Sequence, residues 1–131
     1  VPPIFSLADA TIALVTEGGL VPRANPDRIE AARATKYGKY SVEELEKTGA
    51  EGFQSIHRGF DTTFINEDPD RLLPMDALRE LQKEGIIGKI HTEFFVTTGV
   101  ATTMENARKI GAAIAQELVS ARVSAAIVTG T

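Results

Sequence analysis

The side chains best suited to moving a proton or gripping a small charged ligand crowd into residues 52–73. His57, Arg58, Asp61, Asn66, Glu67, Asp68, Asp70 and Arg71 fall there, in a stretch without clear periodicity. Long irregular segments inside compact domains are binding loops or disordered, and Phe53, Ile56, Phe60, Phe64 and Ile65 argue against disorder. Two readings stand: a binding loop, or a solvated acidic loop pinned by its aromatics. Carboxylates such as Glu17 and Asp61 suit acid–base work, but the sequence places no partner for either. Cysteine is absent, so disulfides, thiolate metal sites and thiol nucleophiles are excluded within the chain. His57 and His91 alone offer imidazole, too few for a three-histidine zinc site. His91 lies in an apolar run, where a histidine is a filler or a surface residue more often than a catalyst.

These residues need a frame, and the stretch that organises it is 11–22. Ile12, Ala13, Leu14 and Val15 form an unbroken apolar run, as expected of a parallel strand covered on both faces. Thr16 and Glu17 then lead into Gly18 and Gly19, a turn whose backbone N–H groups can face a ligand or a neighbouring helix. Asn25, Pro26 and Asp27 predict a short helix start, and Tyr37 to Tyr40 a return strand or ordered loop. Ser41 to Glu44 fits a capping box, with Gly49 as a stop. Pro74 opens a helix through about Glu84, with Ala77, Leu78 and Leu81 on one face and Gly85 ending it. Residues 89–96 read as a second core strand, ended by Thr97, Thr98 and Gly99. Thr102 and Glu105 form another capping box before a helix whose stripe is Ala107, Ile110, Gly111, Ile114 and Leu118, with Gly111 packing on the sheet. Residues 124–128 read as a third strand, buried like the first two, ending in Thr129, Gly130 and Thr131.

Repeated strand, glycine turn and helix predict an α/β fold: a three-layer, parallel or mostly parallel sheet with crossover helices, Rossmann-like and incomplete. Ligands of such sheets bind beyond the carboxyl ends of the strands, so residues 18–19, 97–99 and 129–131 should converge. A length of 131 residues fits one domain, with 1–9, opening on Pro2 and Pro3, as an arm or linker. Lys plus Arg at 14 against Asp plus Glu at 18 gives a net charge of -4, without a basic block. That argues against nucleic acid and anionic membranes, and no apolar run reaches spanning length. A cytoplasmic protein is expected, self-associating as a homo-oligomer if a sheet edge stays open.

Several blocks in the same order carry a more specific signal. They are Ile12-Ala-Leu-Val-Thr-Glu-Gly-Gly-Leu-Val-Pro22, Asn25-Pro-Asp-Arg-Ile-Glu30, Thr35-Lys-Tyr-Gly-Lys-Tyr40, Asn66-Glu-Asp-Pro-Asp-Arg71 and Leu73-Pro74. Over nearly its whole length the chain resembles the selenoprotein B (component B) subunit of the glycine, sarcosine and betaine reductases, with D-proline reductase subunits as more distant relatives. In that family the last strand runs into a Thr-containing turn, then selenocysteine and a C-x-x-C segment, and Val128-Thr-Gly-Thr131 matches that approach. The resemblance implies a selenocysteine directly after Thr131, no catalytic residue within the chain, and an inactive isolated chain. Termination at a UGA codon or a deliberately shortened gene would both produce this end.

The resemblance further implies a reductive cleavage of the C–N bond of glycine, sarcosine, betaine or a related amine. A selenolate attacks the α carbon, a pyruvoyl group rides on a different subunit, and the product passes to a partner selenoprotein with electrons from thioredoxin-like dithiols. His57, Gly59 and Asp61 match a family His-Gly-Gly-aromatic-Asp stretch, with Arg58 and Phe60 as departures, and Val100 and Ala101 replace an Asn-Gly. An Arg at 58 can clamp a substrate carboxylate. The substrate-binding residues expected are Gly18, Gly19, His57, Arg58, Asp61, Glu67, Thr98, Gly99, Thr129 and Thr131. His57, Asp61 and Glu67 would orient substrate or tune the nucleophile. The alternative is a non-catalytic small-molecule binding or assembly module that keeps the fold.

Overall fold

In a computed structural model, which describes residues 3–131, the apolar run at 12–15 becomes the central strand. The elements are, in order, β1 Thr11–Thr16, β2 Leu20–Pro22, β3 Gly38–Ser41, β4 Phe53–Ser55, α1 Thr63–Glu67, α2 Met75–Lys83, β5 Lys89–Ile90, β6 Glu93–Val96, α3 Met104–Ser120 and β7 Ala125–Thr129. β1 pairs in parallel with β5 and β6 on one edge and with β7 on the other, while β3 adds antiparallel to β6. β2 and β4 form a separate antiparallel ribbon.

Side-chain alternation explains why β1 needs no polar face. Ile12 and Leu14 join one apolar cluster with Phe94, Val96, Leu73 and Leu78, and Ala13 joins a second with Phe95, Ile110 and Ile114. With α2 on the first side and α3 on the second, both faces of the strand are covered. The sheet is thus mixed and mostly parallel. α3 carries the whole crossover from β6 to β7, whereas the chain passes through β2, β3, β4, α1 and α2 between β1 and β5.

Several expected elements differ, each for a visible reason. Residues 23–37 hold no helix after Asn25. Ala24, Asn25, Arg28 and Arg33 have φ of 69, 45, 51 and 55°, and the Asn25 amide bonds both the N–H and the carbonyl of Ile29, closing a loop instead of capping a helix. The Ser41 to Glu44 box also opens no helix. The Arg79 guanidinium of α2 takes the carbonyls of Val42, Glu43 and Leu45, the acceptors a helix there would need. α3 is capped by Thr103, which accepts from the Asn106 N–H, while Thr102 is turned away to bond the Thr98 carbonyl and the Ala34 N–H. Gly111 does not pack on the sheet, since a Cβ there would meet nothing within 4 Å. Ala77 is exposed on α2, where Met75 and Leu78 are buried.

The expected third buried strand, β7, is instead an exposed edge: Val128 keeps 69% of its surface and Ile127 39%. Residues 89–96 form two short strands, because the chain leaves the ladder at His91 and Thr92. His91 stacks on Phe95, half-buried. Of the expected arm at 1–9, Val1 and Pro2 lie outside the described residues. Leu7 is tied down by the N–H groups of Ala10 and Gly88.

Candidate active site

Three strand ends meet at one edge. The Thr97 N–H donates to the Thr16 carbonyl at 3.0 Å, the Gly99 N–H to the Glu17 carbonyl at 3.2 Å, and the Glu17 N–H to the Thr129 carbonyl at 3.2 Å. These bonds set the turns after β6, β1 and β7 side by side, with Glu17 in the middle. The Glu17 carboxylate is its chemical centre: Oε1 accepts the Thr131 N–H at 2.6 Å and the Thr131 hydroxyl at 2.7 Å. Oε2 lies 3.5 Å from Nε2 of His57.

His57 arrives from the segment after β4. The Ser55 hydroxyl bridges that segment to the first turn by donating to the Gly18 carbonyl at 2.7 Å, and it accepts the His57 N–H. Asn66 at the end of α1 supports β4 by accepting the Ser55 N–H at 2.8 Å. The His57 ring lies against Phe60, and its Nδ1 accepts the Gly59 N–H at 3.0 Å. Residue 59 must be small, because a Cβ there would come within 2.7 Å of the ring and 3.0 Å of Val100.

The glycine turn does not offer its N–H groups to a ligand, as the sequence led us to expect. The Gly18 N–H goes to the Thr16 hydroxyl and the Gly19 N–H to the Thr97 carbonyl. Both glycines are there for close packing: a Cβ on Gly18 would strike Leu72 at 2.4 Å, and Gly19, at φ +65°, would meet Thr98 and His57. Thr98 is fully buried, and its hydroxyl donates to the Glu30 carbonyl, a structural tie. The Thr129 hydroxyl is buried without a partner.

Three expected residues stay outside this cluster. Asp61 is exposed, and its carboxyl is held below the usual range by the hydroxyl and N–H of Thr63, a local turn at the start of α1. Arg58 is exposed, and among the described residues its guanidinium has no ion pair; its backbone N–H bonds Ala31. Glu67 is exposed at the end of α1. The structure gives a place to Glu17, a carboxylate suited to acid–base work for which the sequence placed no partner and which was not among the expected substrate-binding residues.

An apolar groove of about 390 Å³ runs from Glu17 and Gly99 between α3 and the sheet, walled by Val15, Ile110, Ile114 and Val128. A larger cleft of about 620 Å³ lies along the start of β6, among Tyr37, Lys39, His91, Glu93 and Glu117. Its charges satisfy one another: Lys39 reaches Glu117 at 2.8 Å, and the Tyr37 hydroxyl donates to the same carboxylate. Those two donors hold the Glu117 carboxyl below its ordinary range. We therefore place the candidate site at the strand ends rather than in the larger cleft. Among the described residues no group of His, Asp and Glu is arranged to hold a metal ion, and no helix is long and apolar enough to cross a membrane.

Comparison with known proteins bears on this edge. The family model for glycine/sarcosine/betaine reductase selenoprotein B matches residues 1–131. The chain belongs to that family. It is 48% identical over 130 residues to a glycine reductase complex component B subunit gamma of Carboxydothermus hydrogenoformans, covering 99% of this chain and 30% of that protein. It is 44% identical over 129 residues to a betaine reductase complex component B subunit beta of Peptoclostridium acidaminophilum, covering 98% and 30%. Against a sarcosine reductase complex component B subunit beta of the same organism it is 39% identical over 130 residues, covering 99% and 30%. The chain thus spans about 30% of the length of the curated relatives it matches. No solved structure matches it.

Proposed function

We propose that this chain is part of a cytoplasmic, component-B-type reductase that cleaves the C–N bond of glycine, sarcosine, betaine or a related amine, and that it is inactive on its own. We further propose that the residue after Thr131 is a selenocysteine, and that the domain is an incomplete, Rossmann-like one completed by the rest of the polypeptide. Family membership supports the reaction class. The observation that carries the site is the grip of Glu17 Oε1 on both the N–H and the hydroxyl of Thr131, next to the buried His57. Thr131 and His57 thus face one carboxylate, which also lines an apolar groove.

Selenocysteine would supply there a nucleophile that stays ionised at neutral pH, extending the logic of an activated cysteine. The chain's own residues do the rest. Glu17 holds the turn, His57 keeps a proton on Nε2 at the edge, and Val15 and Val128 wall off one side of the groove. The Thr129 hydroxyl is buried there without a partner, and Arg58 lies exposed outside this cluster. The pyruvoyl-bearing subunit, the partner selenoprotein and the thioredoxin-like reductant belong to the complex, and no residue here is assigned to them.

The deciding experiment reads the codon after that for Thr131 and assays the purified chain with dithiol. A UGA followed in frame by a C-x-x-C segment, with no turnover by the chain alone, is expected. An ordinary stop codon would move the reading to a binding or assembly module, and turnover of glycine, sarcosine or betaine by the pure chain would refute the missing nucleophile. The outer edge of β7 should also drive concentration-dependent self-association, seen by light scattering and weakened by Val128→Lys; a strict monomer counts against a homo-oligomer built on this edge.

A further inference from the structure

Every polar group that reaches the Glu17 carboxylate is a donor. Thr131 presents an N–H and a hydroxyl to Oε1, and His57 presents Nε2 to Oε2. The proton on Nε2 follows from the other side of the ring, where Nδ1 is occupied as an acceptor by the Gly59 N–H at 3.0 Å. The His57 side chain is only 4% exposed, and Nε2 makes no hydrogen bond, with Glu17 Oε2 standing 3.5 Å away. Catalytic hydrogen bonds are often this loose before a ligand closes the site. Room for the carboxylate is made by Gly99, where a Cβ would lie 2.1 Å from Oε2.

We propose that Glu17 is a positioning residue whose two oxygens act at once, one facing the Nε2–H of the tautomer that Gly59 sets and so orienting the ring, the other ordering the turn at 129–131. A carboxylate facing an imidazole N–H is a recurrent means of fixing the ring's orientation, and here that N–H points at the carboxylate itself. Resting on the reading above, this N–H and the residue after Thr131 share one edge because one side chain holds both. A carboxylate is required, since an amide must turn an NH₂ toward one of the two donors. Glu17→Gln can serve Thr131 or His57 but not both.

The test is nuclear magnetic resonance of the 131-residue chain, reading the His57 ring nitrogens and the amide exchange of Thr131. The wild type is expected to show a protonated Nε2, a bare Nδ1 and a protected Thr131 amide. Glu17→Gln should keep the tautomer, which Gly59 sets, but shift the His57 Nε2 resonance or accelerate Thr131 exchange roughly tenfold, the fold-change of one hydrogen bond to a charged group. Gly99→Ala keeps the carboxylate but displaces it, and should give the same signature if Glu17→Gln fails to fold. A wild-type His57 carrying its proton on Nδ1, or variants with an unchanged Nε2 resonance and unchanged exchange, would overturn the proposal. In a full-length enzyme Glu17→Gln should lower kcat more than it raises KM. Unchanged kinetics alongside the expected spectra would sink the reading of the site while leaving the positioning role intact.

Discussion

Two carboxylates in this chain gather several donors each, and they do opposite jobs. Asp70 is 9% exposed, and its Oδ1 alone accepts the N–H groups of Thr48, Met75 and Asp76. All three are backbone groups, two of them the first N–H groups of α2, of which that of Met75 also reaches the Leu73 carbonyl, so Asp70 starts that helix and pins the 42–52 loop to it. Glu17 spreads its donors over both oxygens, and they come from the end of β7 and from a histidine side chain after β4. Hydrogen-bond count therefore does not separate a structural acid from a site acid. What separates them is whether the partners are fixed backbone or groups that can themselves carry a proton.

The contrast can be broken by substitution. Asp70→Ala strands the N–H groups of Thr48 and Asp76, while that of Met75 keeps the Leu73 carbonyl, and should cost about 2–3 kcal/mol in urea unfolding; a loss below about 1 kcal/mol would mean that water replaces the carboxylate easily. Asp70→Asn keeps the accepting oxygen and should come close to wild type. Burial, the largest influence on Asp70, pushes its carboxyl above the ordinary range despite its three N–H donors. With the folded value raised, its ionisation opposes folding: the group's contribution is full below the unfolded value and lost as pH rises through the folded one. Asp70→Asn should therefore flatten the pH dependence of stability just above the ordinary carboxylate range. The amide is tolerated at 70 and not at 17.

A smaller effect tests strain behind the site. Ala101 sits at φ 55° in the turn that follows Gly99, a region that suits glycine. Ala101→Gly should raise stability by up to about 1 kcal/mol without changing the Glu17 contacts, checked by thermal unfolding and the Thr131 amide. The smallest effect belongs to Glu117 in the larger cleft, whose partners Lys39 and Tyr37 lower its carboxyl. That contribution is present above the ordinary Glu value and is lost as pH falls through the folded one. It should be slight and salt-sensitive because the pair is half exposed, and Glu117→Gln should abolish it.

The sequence alone determined the frame. β1, β6, α2 and α3 were legible because long apolar runs and 3.6-residue stripes report burial on one or both faces, which is a local property. The meeting of residues 18–19, 97–99 and 129–131 was legible too, because parallel strands send their carboxyl ends to one edge. Family membership was legible from ordered blocks of identical residues. Tertiary structure decided the rest. The loop at 23–37 and the missing helix after Ser41 depend on Asn25 and on Arg79, the latter from an element more than thirty positions away. The exposure of β7 depends on what lies beside it, which its own Ala, Ile and Val cannot report. Of the polar residues crowded into 52–73, only His57 turns inward to the site, and its partner Glu17 stands forty positions earlier. A carboxylate becomes a positioning group only when donors from separate strands close on both of its oxygens, and that is a fact of packing rather than of residue order.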